Sequence, residues 1–177
     1  MDITLKPIET TDDIYRLWQI GFSTENPEWS KFNGPYFNDY FAFSFEDFQK
    51  ERPFYKNTKD NWGIYVDELL VGAVSRYWID KNTRWLEIGI VIYDENYWSM
   101  GIGTHALQQW ISKTFDDYSE IEHIGLTTWS GNPGMMRASV KLGLRQEANI
   151  PKVRFWQGVY YDSVKYGITR DEWYANN

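Results

Sequence analysis

Leu86–Gly103, LEIGIVIYDENYWSMGIG, decides how the rest of the chain is read. Residues 86–93 form an apolar run suited to a strand, Asp94 to Met100 make a polar turn, and Gly101 and Gly103 open a helix. Such a junction directs several backbone N–H groups outward at the partially positive end of the helix. It therefore suits a phosphate or similar anion. The helix runs to about Phe115 with no Lys or Arg before Lys113, so backbone rather than side chains would hold the anion.

Working upstream, Asn61–Val66 and Leu70–Ile79 read as strands joined by the tight turn Asp67-Glu68, with Arg84–Tyr93 as the third strand of an antiparallel meander. Ile3–Ile8 gives an earlier strand. Thr10–Asp13 is a capping-box-like start to a helix with Ile14, Leu17, Trp18 and Gly21 near one face. Residues 22–55 are irregular, dense in aromatics and broken at Asn33-Gly34-Pro35, with a second short helix starting in Ser44–Asp47. That segment is either local core or a wall over a substrate site.

Downstream, Gly101–Phe115 is helical and Ile121–Thr128 is an apolar strand, so strand, helix and strand imply a parallel pair with a right-handed crossover. Asn132 at an N-cap and Pro133 at the first helical position start another helix, which stops at Gly143. Val153–Trp156 and Val159–Ile168 close the chain as a hairpin around Gln157-Gly158. The fold class is α/β (α+β), with a mixed, mostly antiparallel central sheet of about seven strands and helices on both faces. Residues 1–177 are expected to form a single domain.

Composition narrows the function. A hydrophobic content of 42% with 10 Trp and 13 Tyr argues for a folded chain. The net charge of −7 and scattered Lys and Arg argue against nucleic acid, while an acidic body suits cationic small molecules or amine termini. There is no cysteine, which removes thiolate nucleophiles and cysteine metal sites, and His105 and His123 alone make a zinc centre improbable. No apolar run spans a membrane and the N-terminus lacks signal-peptide features, so no membrane partner and a cytoplasmic location are expected.

The element order with this glycine pair resembles the GNAT-type N-acetyltransferase superfamily over nearly the whole chain. Within it, EIGIVIYDENYWSMGIGTHAL, GNPGMMRASVKLGLRQEA and DSVKYGITRDEW are similar to the ribosomal-protein (Rim-type) acetyltransferase branch. The resemblance implies the acyl-CoA N-acyltransferase fold, with acetyl-CoA as co-substrate in a V-shaped opening between the third and fourth core strands. It places the pantetheine arm on the backbone of Val91, Ile92 and Tyr93, and the pyrophosphate on the amides of Ser99, Met100, Gly101, Ile102, Gly103 and Thr104. Asn132, a sufficient N-cap by itself, matches a family position that also touches the pantetheine arm. No metal is implied.

Acetyl transfer to a primary amine needs a neutral amine, a stabilised oxyanion and a proton for the leaving thiolate. Glu87 lies mid-strand among apolar residues, where a carboxylate is costly without a partner. It matches the catalytic glutamate of histone-type members, or else pairs with Arg84 or Arg76. An N–H near Val91 or Ile92 is placed for the oxyanion. Ser139 stands where many members carry a proton-donating Tyr and is the weaker catalytic candidate. His105 and His123 gain no role.

Two other readings compete. One is a non-catalytic acyl-CoA-binding module. The other is a dinucleotide-binding protein, because Gly101 to Ala106 fits G-x-G-x-x-A. The long Asp94–Met100 turn, the antiparallel strands before it and the lack of an acid after Thr127-Thr128-Trp129 count against the dinucleotide reading. The acceptor, a protein N-terminal α-amine or a small-molecule amine, is expected against residues 25–55 with Trp29, Phe32 and Tyr36. Exposed aromatics leave room for a homodimer.

Overall fold

Asp67 and Glu68 both take left-handed backbone conformations, with φ of 48° and 70°, and this two-residue turn folds β2 (Asn61–Val66) onto β3 (Leu69–Asp80). The computed structural model describes residues 1–177. Its remaining strands are β1 (Ile3–Lys6), β4 (Trp85–Ile92), β5 (His123–Trp129), β6 (Arg145–Trp156) and β7 (Val159–Thr169). The helices are α1 (Thr11–Gly21), α2 (Phe45–Glu51), α3 (Ile102–Asp117), α4 (Pro133–Lys141) and α5 (Arg170–Asn176). All seven strands join one mixed sheet in the order β1-β2-β3-β4-β5-β7-β6. The β4–β5 pair is parallel, through Leu86↔Ile124 and Glu87↔Gly125. No helix is long and apolar enough to cross a membrane.

The chain divides into two compact units, residues 1–75 with 90–107 and residues 76–89 with 108–177. The first is built on aromatic rings. Helix α1 starts where Thr10 Oγ1 accepts the Asp13 N–H at 3.1 Å, and α2 starts at Ser44 in the same way. Leu17, Trp29, Phe48, Tyr55 and Tyr93 are buried together, and the Trp29 indole donates to the Gly21 carbonyl at 2.9 Å. Much of the aromatic segment is thus local core, although Phe32, Phe37 and Phe41 remain exposed.

The second unit buries charge as well as apolar surface. Arg76 is 4% exposed, between the rings of Trp110 and Tyr118 at 4.7 and 4.8 Å, and bonds Asp117 at 2.7 Å and Thr114 at 3.2 Å. Burial pushes the Asp117 carboxyl up, but the hydrogen bonds from Arg76 and Lys113 outweigh it and hold the group below its ordinary value. Arg170 gathers the carbonyls of Phe115, Tyr118 and Ile121, supplying a cation at the end of α3.

Two features depart from the sequence reading. Strand β6 begins at Arg145 rather than Val153 and passes two register shifts, one between Gln146 and Ala148 and one between Ile150 and Arg154. Its exposed, charged first half and Pro151 hide the alternation that marks a strand. The chain also ends in α5, closed by a capping box in which Thr169 and Glu172 satisfy each other's backbone N–H groups.

Candidate functional site

At the start of α3 the His105 N–H donates to the Gly101 carbonyl at 3.1 Å, which makes Gly101 the residue from which the helix springs. Ser99 and Gly101 are left-handed, with φ of 61° and 78°. Ile102 is 1% exposed and pins the first turn to the interior, whereas Ser99, Met100 and Gly101 face solvent. Gly101 needs its residue type for its backbone angle. Gly103 does not. It sits inside the helix, and a methyl group there would meet only Ile90 Cδ1, at 4.0 Å. A glycine inside a helix costs about 1 kcal/mol relative to alanine, and nothing within the chain requires one here. The missing side chain leaves room for close approach by a group from outside, such as a phosphate.

Strand β4 leads into this turn with part of its backbone already engaged. The N–H groups of Tyr93 and Asp94 both donate to the Val71 carbonyl, at 2.9 and 3.2 Å. The Trp98 indole donates to the Ile92 carbonyl at 2.9 Å, and Arg16 pairs with Asp94 at 2.8 Å. The Tyr93 N–H and Ile92 carbonyl are therefore committed inside the chain. A side chain at Gly72 would collide with the Val91 carbonyl, so Gly72 lets this stretch of β4 lie close against β3.

Glu87 is 3% exposed, and three donors reach its carboxylate. Its Oε1 accepts from Thr127 Oγ1 at 2.7 Å and from the Tyr77 hydroxyl at 3.4 Å, and its Oε2 accepts from Lys165 Nζ at 3.3 Å. Lys165 also donates to Thr127 at 2.9 Å. Burial, the Glu87 charge and the hydrogen bond to it push the Tyr77 hydroxyl up to about 12. The expected arginine partners are corrected. Arg84 sits in a left-handed turn and reaches the Glu120 carbonyl at 3.5 Å, and Arg76 bonds Asp117 and Thr114.

Tyr77, Thr127 and Lys165 were not read from the sequence. Alternation along β3 held part of the signal, since consecutive residues Arg76 and Tyr77 point to opposite faces. Thr127 and Lys165 are register partners across β5 and β7, a pairing with no local trace. His123 likewise has a partner the sequence did not name: its Nε2 lies 2.8 and 3.0 Å from the two oxygens of Glu147.

Asn132 caps α4, its side-chain oxygen accepting the Met135 N–H at 3.2 Å. Ser139 is fully buried in the same helix and donates its hydroxyl proton to the Met135 carbonyl at 2.9 Å. That proton is directed at helix backbone.

Residues 2–145 match the acetyltransferase (GNAT) domain family. The chain belongs to that family. Among GNAT relatives from Bacillus subtilis, the SPbeta prophage-derived N-acetyltransferase YokL is 24% identical over 64% of this chain and 63% of its own length. YdaF, whose name assigns it provisionally to ribosomal N-acetylation, is 26% identical over 63% of this chain and 60% of its own. The chain thus spans about three fifths of the length of these curated relatives, and the match to YdaF is consistent with the Rim-type branch.

Solved GNAT structures reproduce the fold across the chain. An acetyltransferase from Bacillus anthracis superposes with a TM-score of 0.72 at 21% identity, covering 97% of both chains. The spermidine N-acetyltransferase of Vibrio cholerae, solved with CoA and spermine, superposes with a TM-score of 0.75 at 16% identity, covering 97% of this chain and 98% of that one.

Proposed function

We propose that the chain, acting as one domain, transfers an acetyl group from acetyl-CoA to a primary amine by direct attack. The observation that carries this reading is Gly103, a helical glycine that neither backbone angle nor neighbouring atoms require. With Gly101 it leaves the amides of Ser99 to Thr104 bare for the pyrophosphate of CoA, whose thioester supplies the acyl group. The backbone of Val91 and Ile92, apart from the Ile92 carbonyl held by Trp98, flanks the pantetheine arm.

An amine with pKa near ~8 to ~10.4 is mostly protonated at neutral pH and must lose a proton before it attacks. Glu87 takes that proton through the hydroxyls that surround it, Thr127 and Tyr77, because its own exposure leaves no room for a direct approach. Ser139 serves as helix interior, and the leaving thiolate takes its proton from another group. The acidic balance of the chain, −7, favours a cationic acceptor, the class to which spermine in the Vibrio cholerae neighbour belongs.

The commitment of Ser139 and the closed ring of partners around Glu87 favour one second reading, an acyl-CoA-binding module without turnover. Two measurements decide. Acetyl-CoA at 100 times its dissociation constant should add about 2.7 kcal/mol to the folded state, and a shift with NAD but not acetyl-CoA rejects both readings. Steady-state release of free CoA with a polyamine and an N-terminal peptide as acceptors supports the enzyme. Binding without release supports the module.

A further inference from the structure

The aromatic unit contains a cavity of about 130 Å³ walled by Phe22, Trp29, Tyr40, Phe43 and Phe54, with Arg52 in its lining. We propose that this cavity binds a carboxylate that carries a phenyl-sized apolar group. Its volume is close to the ~150 Å³ of an engineered apolar cavity that takes up benzene. The walls are held in place without a ligand. Trp29 meets Tyr40 edge-on at 5.0 Å, Phe22 packs on Trp29 at 5.8 Å and on Phe54 at 6.0 Å, and the Trp29 indole is fixed on the Gly21 carbonyl. A pocket already shaped binds a ring with little ordering of its own side chains.

Charge selects the other end of the ligand. Arg52 directs one N–H to the Asp39 carbonyl, at 3.3 Å, and rests its guanidinium 5.6 Å from the Phe43 ring centre. A guanidinium has five N–H donors in a fixed fork, which suits a carboxylate in two-point contact. Asp39, an exposed residue that also lines the cavity, holds the fork through its backbone carbonyl. An aryl ammonium would bring its charge against Arg52, so the guanidinium selects the acid over the amine. The site stands on its own geometry and does not depend on acetyl transfer.

The test uses the full chain without acetyl-CoA and three probes of matched shape: phenylacetate, phenylacetamide and phenethylamine. By calorimetry, phenylacetate should bind about tenfold more tightly than phenylacetamide, the order expected of one charge-assisted contact, and phenethylamine most weakly. Arg52→Gln should erase the preference for the acid, and Arg52→Lys should keep part of it. The wild-type probe series stands even where a variant folds poorly. The proposal is overturned if the amine binds as tightly as the acid, if Arg52→Gln keeps the preference, or if no probe binds at millimolar concentration. Because acetyl-CoA is absent, none of these outcomes bears on the acetyltransferase reading.

Discussion

The two compact units solve the problem of an interior with different chemistry. Residues 1–75 with 90–107 pack rings on rings, and their polar bonds, such as Trp29 to Gly21 and Trp98 to Ile92, serve mainly to fix those rings. Residues 76–89 with 108–177 bury Arg76 and Glu87 and satisfy each with named partners. The cavity and the glycine turn that opens α3 lie in the aromatic unit. Buried charge must be partnered, and the hydrogen-bonded cluster around Glu87 lies in the other. One unit is held by ring contacts, the other by paired buried charge as well.

The sharpest way to break this contrast is Asp117→Ala, which removes the carboxylate partner of the Arg76 guanidinium at a 4% exposed site. Loss of one partner from a buried pair should cost about 3 kcal/mol in chemical unfolding; a loss under about 0.5 kcal/mol would mean the rings of Trp110 and Tyr118 suffice for the cation. Next comes Glu87→Gln, expected to lower acetyl transfer about a hundredfold with little change in melting temperature. An unchanged rate would return Glu87 to a purely scaffolding role.

In the aromatic unit, Gly103→Val should weaken acetyl-CoA binding by about tenfold or more, roughly 1.4 kcal/mol, while the fold survives because its side chain enters open space. Normal affinity in that variant would put the pyrophosphate elsewhere. The smallest effect is at the C-terminus, where Thr169→Ala should cost about 1 kcal/mol through loss of the cap.

The same cap gives a pH signature. Hydrogen bonds from the Thr169 backbone and side chain, then from Arg145, hold the Glu172 carboxyl down at about 2 against an ordinary 4.5. A depressed carboxylate contributes stability that is present above its unfolded value and is lost as pH falls toward the folded one. Urea midpoints should therefore fall between about pH 5 and pH 2 more steeply in the natural chain than in Glu172→Gln. Parallel curves would show that the cap does not titrate.

Local chemistry made much of the fold legible. Residues 67–68 and 157–158 marked hairpin turns, and both pairs take positive φ in the structure. Asn132-Pro133 marked the start of α4. The first half of β6 was not legible because a strand exposed on both sides, interrupted by Pro151 and two register shifts, carries no alternation. Helix α5 had a signal that went unread: Thr169 followed three residues later by Glu172 is a capping box, masked by the apolar strand running into it.

The glycine turn that opens α3 could be read from its residues alone, whereas the surroundings of Glu87 could not. Lys165 lies 78 residues away in sequence and Thr127 lies 40 away, and only sheet register brings them to the carboxylate. The sequence neighbour Arg84 failed as a partner because its left-handed backbone turns it to Glu120. The aromatic segment was ambiguous for a related reason: composition does not separate rings that fill a core from rings that leave a space between them.

Gly72 and Gly103 would respond differently to random mutation under selection. At Gly72 any side chain strikes the Val91 carbonyl, so a library screened only for folding should return glycine. At Gly103 the same screen should accept alanine and even favour it, since open space and a better helix former both point that way. Screening for acetyl transfer should restore glycine there. The residue spectra at two positions would then separate what the chain needs to fold from what it needs to bind.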